Sequence, residues 1–167
     1  MIELLTASVL MILTTIVQSA LVSQVRILNG MSDLILLFLI SWMHIDKTRH
    51  RWILAIMAGV FSGLISAIPF WVYIPVYLLI TYVINLIHQK IWQAPMVVLF
   101  LSSIIGSIIT YGAQFSYLLI IGVPISLTDS LNLVILPSIV LNLILILPVY
   151  AFTGEIAKML LREEVEI

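Results

Sequence analysis

Apolar residues run along this chain in long blocks, and the charged residues fall between them. Leu4 to Val25 spans 22 positions without Asp, Glu, Lys or Arg, matching the ~20 residues a helix needs to cross a bilayer. Arg26 and Asn29-Gly30 end that block. Leu34 to Ile45 is a second block of twelve residues, and it predicts a helix over 31–46 entering behind a Ser32/Asp33 cap, since short polar side chains accept from the free N–H groups of a first turn. Trp52 to Gln89 carries no formal charge over 38 positions, room for two helices at 52–68 and 72–88. Pro69 is the break between them, with Phe70, Trp71 and Tyr73 as interfacial aromatics and Pro75 placed in a first helical turn. Pro95 opens a helix over 95–120, and Gly122-Val123-Pro124 closes it. After a loop at 125–129, Leu131 to Phe152 forms the last block, with Pro137 and Pro148 inside it; Glu155 to Ile167 reads as a short amphipathic end in water.

That pattern predicts an all-α integral membrane protein: residues 1–167 as one domain of six transmembrane helices with a short cytoplasmic C-terminal tail. Composition agrees. The chain is 63% hydrophobic and 9% charged, with a mean hydropathy of +1.26, whereas a soluble domain is about 25% charged. The stretch 46–51 holds Asp46, Lys47, Arg49 and Arg51. Charges cost ~2.5–3.5 kcal/mol each at the centre of a membrane helix, so this stretch must be a loop in water, and its cations assign it to the cytoplasm. Counting crossings from there puts both termini in the cytoplasm. Lys47, Arg49, Arg51, Lys90, Lys158 and Arg162 are then inside, six of the seven cations, and Arg26 is outside. Five spans would separate the termini and lose that bias, so the short second span is the critical one. The first residues, Met1-Ile2-Glu3, lack a basic segment, so the first block is expected to be a retained span rather than a cleaved leader.

The third helix carries Ala55, Gly59, Gly63 and Ala67 at four-residue spacing, beside Ser62 and Ser66. Such a face lets backbones approach closely, either within the bundle or against a partner's helix. Ser102, Gly106 and Thr110, flanked by Ser103 and Ser107, make a similar row on the fifth. Asp33 is expected to be a periplasmic-side cap or contact. Asp129 and Asn132 flank the start of the last helix, while Gln114, Asn85 and Asn142 lie within spans and suit interhelical hydrogen bonds. His44, His50 and His88 all fall at cytoplasmic helix ends. No catalytic, cofactor-binding or metal-ligating set stands out, and every ionisable group is expected at a membrane edge. With a net charge of −1 there is no basic field for nucleic acid, and without cysteine there is no thiol chemistry.

Gly30-Met31-Ser32-Asp33-Leu34, Ala58-Gly59-Val60-Phe61-Ser62-Gly63-Leu64, and Ile135 to Asn142 followed by Leu147-Pro148-Val149-Tyr150 resemble segments of the MreD family, the rod shape-determining membrane proteins of bacteria. Two positions depart from it: Ser32 stands where that family commonly has proline, and Ser66 where it often has aspartate. The resemblance implies a non-catalytic inner-membrane scaffold of the elongation (rod) complex. Such a scaffold binds MreC, and through it RodA, the elongation penicillin-binding protein and MreB, supporting lateral-wall peptidoglycan synthesis and cell shape. It also implies a fold similar to the six-helix S components of energy-coupling-factor transporters. The alternative function is therefore a vitamin-binding S component, with Tyr73, Tyr111, Gln114 and Asn132 as the pocket residues and a capping loop that the short stretch 24–32 hardly provides.

Overall fold

The structure, a computed structural model, describes residues 2–20, 29–45, 50–90 and 94–161. The basic stretch 46–49, Arg26 and the tail beyond 161 lie outside the described residues, so the cation bias has no structural counterpart here. The described residues are helical: α1 (Ile2–Ala20), α2 (Leu34–Met43), α3 (Arg51–Ile65), α4 (Phe70–Lys90), α5 (Pro95–Ile120) and α6 (Leu136–Leu161). Before α6 come a single turn at Leu127–Asp129 and a wide π turn at Ser130–Ile135.

Three stretches are long and apolar enough to cross a membrane: Phe70–Gln89, Pro95–Ile120 and Leu127–Met159. Leu4–Ala20, Leu34–Met43 and Arg51–Ile65 are shorter apolar helices. Large apolar side chains also cover the outside, among them Leu5, Val9, Ile12 and Ile16 on α1 and Trp71, Leu79 and Tyr82 on α4. A soluble monomer rarely exposes apolar surface on this scale, so the exterior fits hydrocarbon.

The short α2 is the axis of the bundle. Nine of its ten residues are buried, and it packs against α1, α3, α5 and α6. A helix that is apolar all round belongs inside. At 1.5 Å per residue, its ten residues rise only about 15 Å, half of a bilayer core. The expected 31–46 helix is thus trimmed to 34–43. Asn29 to Asp33 precede it as irregular chain.

The other helix ends have local causes. α5 opens with Pro95 at its first turn and closes on Gly122, whose φ of 81° is the left-handed region that glycine adopts without strain. There Gly122 N–H donates to Leu119 O (3.1 Å) and Val123 N–H to Leu118 O (3.0 Å), the paired bonds that finish a helix on glycine. α4 begins at Phe70, two residues earlier than expected, so Pro75 sits inside the helix rather than in its first turn. α3 stops at Ile65 with Ser66 as an extended cap, leaving Ala67 exposed beyond its end. α6 continues unbroken through Glu155 to Leu161, so the stretch expected as an amphipathic end begins as helix.

Candidate functional site

The helix break before α2 organises the site. Unwound chain inside a membrane bundle must have its backbone groups satisfied by protein, because hydrocarbon cannot do so. Four side chains meet that need. Gln18 on α1 donates through Nε2 to Ser32 O (2.8 Å) and accepts at Oε1 from Leu34 N–H (2.7 Å). On α6, Asn142 Oδ1 accepts from Asp33 N–H (2.9 Å) and from Ser32 Oγ (2.8 Å), and its Nδ2 donates to Ser107 Oγ (2.8 Å). Ser138 Oγ accepts from Met31 N–H (3.0 Å), and Tyr111 Oη donates to Met31 O (2.9 Å).

Pro137 supplies a further anchor. It has no N–H to return to the carbonyl of Leu133, four residues back. Asn29 N–H takes that carbonyl instead, at 3.0 Å. Gly30 lets the chain lie this close, since a Cβ there would stand 2.7 Å from Pro137 Cβ and from Ser138 N.

Asp33 caps α2 through Oδ1, which accepts from Leu36 N–H at 3.0 Å. Its other oxygen accepts from Tyr77 Oη at 3.1 Å. With that one proton committed, Tyr77 Oη takes its 2.9 Å bond from Ser62 Oγ as the acceptor. Beside this chain runs another. Gln114 Nε2 donates to Tyr73 Oη (3.2 Å), Tyr73 Oη donates to Ser66 Oγ (2.8 Å), and Ser66 Oγ also accepts from Ile68 N–H (3.1 Å).

Both chains face a cavity of about 230 Å³ that includes Gln18, Asp33, Ser66, Tyr73, Tyr111 and Gln114 in its wall. Its exposed lining residues are Asn29, Ile65 and Val134, so it opens there. Asp33 is a cap and also part of a polar chamber. Of the four pocket residues named from sequence, Tyr73, Tyr111 and Gln114 line the chamber, whereas Asn132 is exposed on the wide turn. Asp129 is exposed on the preceding single turn. Gln18 and Ser138 were missed as site residues, and Ser107, read as part of the small-residue row, turns out to hold Asn142. Gln18 is the one amide on α1, and an amide inside an apolar run has to find partners.

The small-residue row lies elsewhere. Ala55 is buried. A Cβ on Gly59 would come within 2.7 Å of Ile74 Cα, and one on Gly63 would run into the backbone of Phe70. At those two glycines the space is therefore filled by α4 of the same chain. Ser102, Ser103, Gly106, Ser107 and Thr110 are buried on α5, with Gly106 facing Leu36 and Ile40 of α2.

At the opposite end of α2, the His44 and His88 rings lie 4.3 Å apart, edge to face. His44 Nδ1 is 2.8 Å from Ile40 O, and Arg51 donates to Asn85 Oδ1 at 2.7 Å. His50 precedes α3 without a side-chain cap bond. No group of three metal-ligating residues occurs among the described residues.

A second, apolar slot of about 600 Å³ runs between α1 and α6. Leu10, Leu13, Thr14 and Val17 form one wall, Leu145, Pro148, Val149, Phe152 and Thr153 the other, and Leu34 and Phe38 of α2 the floor. Its two hydroxyls are internally bonded, Thr14 to Leu10 O (2.8 Å) and Thr153 to Val149 O (2.9 Å), so the slot presents no unsatisfied donor to a neighbour. Comparison with known proteins yields no matching family model, no matching curated protein and no matching solved structure.

Proposed function

We propose that the chain is a non-catalytic scaffold of the bacterial elongation complex, related to MreD, that docks the single transmembrane helix of MreC. Through MreC it would associate with RodA, the elongation penicillin-binding protein and MreB. In this reading the chain crosses the inner membrane six times, with both termini in the cytoplasm. The observation that carries it is the slot between α1 and α6. Helices associate in lipid through shape-matched packing rather than through a hydrophobic drive. An elongated apolar groove with no unsatisfied hydroxyl suits side chains projecting from one more helix. The resemblance supplies the partner's identity. Its separate segments also meet around one network, where Gly30 packs on Pro137, Asn142 holds Asp33, and Tyr77 joins Asp33 to Ser62.

The chain has no cysteine, so single-cysteine cross-linking is clean. Thr14→Cys or Val149→Cys should form a disulfide with a cysteine placed in MreC's span, and Ile108→Cys on the outer face of α5 should not. Leu13→Trp should lower co-purification of MreC at least tenfold. Equal cross-linking from all three positions, or no capture of MreC at all, rejects the reading.

A second reading, the vitamin-binding S component, is favoured by the polar chamber with its three expected residues. A vitamin retained in native mass spectra of the purified chain would support it over the scaffold.

A further inference from the structure

The polar chamber has more hydrogen-bonding groups than the unwound chain uses. Gln18, Asn142, Ser138 and Tyr111 already hold Met31 N–H and O, Ser32 O, Asp33 N–H and Leu34 N–H. Asp33, Ser66, Tyr73 and Gln114 also face the cavity, and the surplus includes a charge. The Asp33 carboxylate can accept about four hydrogen bonds, and one at each oxygen is shown here. Gln114 is held through its amide N–H, which leaves its carbonyl oxygen without a protein donor among the described residues. Met31 O accepts from Tyr111 and keeps a second lone pair, whereas Ser66 Oγ already accepts from Ile68 N–H and Tyr73 Oη and has only its own proton to give. The hydroxyl proton of Tyr73 is committed to Ser66 and that of Tyr111 to Met31. The chamber thus offers acceptors and a carboxylate. Among the described residues, no Lys, Arg or His forms an ion pair with Asp33.

A carboxylate inside a membrane bundle is expensive without a positive partner, and such residues mark sites by default. We propose that the chamber binds a small primary ammonium group, with the Asp33 carboxylate as counter-ion and Gln114 Oε1 and Met31 O as acceptors for its N–H bonds. A primary ammonium brings three donors and no acceptor, the complement of a carboxylate and two carbonyl oxygens. At about 230 Å³, the chamber is smaller than the ~300–1,000 Å³ of drug-sized sites, so it fits an amine head rather than a large molecule. That head can belong to a free amine or to an amino lipid entering past Ile65 and Val134. The proposal does not depend on which reading of overall function holds.

The test uses the full chain in nanodiscs of phosphatidylcholine and phosphatidylglycerol, which carry no primary amine, titrated calorimetrically with ethanolamine. Binding is expected, with ethylene glycol silent. Asp33→Asn should weaken it at least tenfold, and since asparagine caps a helix as well as aspartate does, this change removes the charge and keeps the cap. Gln114→Glu, which adds a second carboxylate, should tighten it. Repeating the titration in phosphatidylethanolamine nanodiscs separates the sources: a lipid head group competes and lowers ethanolamine binding, whereas a free-amine site binds equally in both. Sodium binding as tightly as ethanolamine, or equal binding by wild type and Asp33→Asn, overturns the proposal. A wild-type chain that captures MreC but binds no ethanolamine overturns it too, and leaves the scaffold reading standing.

Discussion

The α3–α4 seam and the start of α2 solve the same problem in opposite ways. Both must hold segments together where lipid gives no hydrophobic drive. The seam does it mainly by close packing: Gly59 and Gly63 bring α3 against the backbone of Ile74 and Phe70, with the Ser62–Tyr77 hydrogen bond beside them. The start of α2 does it wet: Gln18, Asn142, Ser138 and Tyr111 grip an unwound strand by its N–H and C=O groups. Close backbone contact is unforgiving of added volume. Hydrogen-bonded contact tolerates shape and makes a chamber, so candidate chemistry gathers at that end of the bundle.

The largest break should come at the seam. Gly59→Leu puts a branched side chain where Ile74 Cα would be 2.7 Å from its first carbon, and two backbones have to part. Overpacking costs roughly 1–3 kcal/mol where side chains can yield, and more where they cannot. The expected loss is about 3 kcal/mol or more, read as a lowered denaturation midpoint in detergent. A loss below about 1 kcal/mol would mean that α3 and α4 are free to separate.

Next is the wet end. Asn142→Leu removes three hydrogen bonds and strands the Asp33 N–H. Interhelical hydrogen bonds in membranes average ~0.6 kcal/mol and reach ~1.7, so roughly 2 kcal/mol should be lost in the same assay. Tyr77→Phe takes away only the hydroxyl shared by Asp33 and Ser62, for about 1 kcal/mol. Combined with Ser62→Ala, its cost should be less than additive, because both changes delete one bond. Strict additivity would show that the chain through Tyr77 is not a unit.

Much of the helical layout was legible because charges cannot enter hydrocarbon, and α5 falls where Pro95 and Gly122 said it would. The interior placement of α2 was not. Leu34 to Ile45 looked like a brief span, yet α2 is an interior axis whose unwound approach is held by residues more than a hundred positions away, Ser138 and Asn142. No local pattern encodes that pairing. Tyr73, Tyr111 and Gln114 could be nominated as polar groups near one end. That Asp33 joins them depended on Tyr77 reaching across from α4. The glycines of α3 announced close approach but not its partner, since a small face looks the same whether it meets its own chain or another.

The sharpest form of the contrast uses one substitution at two sites. Gly59→Ala and Gly106→Ala each add a single carbon to a buried helical glycine, and each gains the helix propensity of alanine, worth about 1 kcal/mol. At Gly106 the new carbon meets Ile40 Cδ1 at 3.2 Å and Leu36 Cδ1 at 3.3 Å. Those are the far ends of flexible side chains on α2, which can move by a few tenths of an ångström. At Gly59 it meets Ile74 Cα and N, at 2.7 and 2.9 Å, which move only with the helix. Gly106→Ala should therefore stay within about 0.5 kcal/mol of wild type, its propensity gain offsetting its crowding. Gly59→Ala should cost at least about 1 kcal/mol more than that. If the two variants unfold at the same midpoint, α5 lies against the axis of the bundle as rigidly as α4 lies against α3, and the division between a tight seam and a more adaptable core fails.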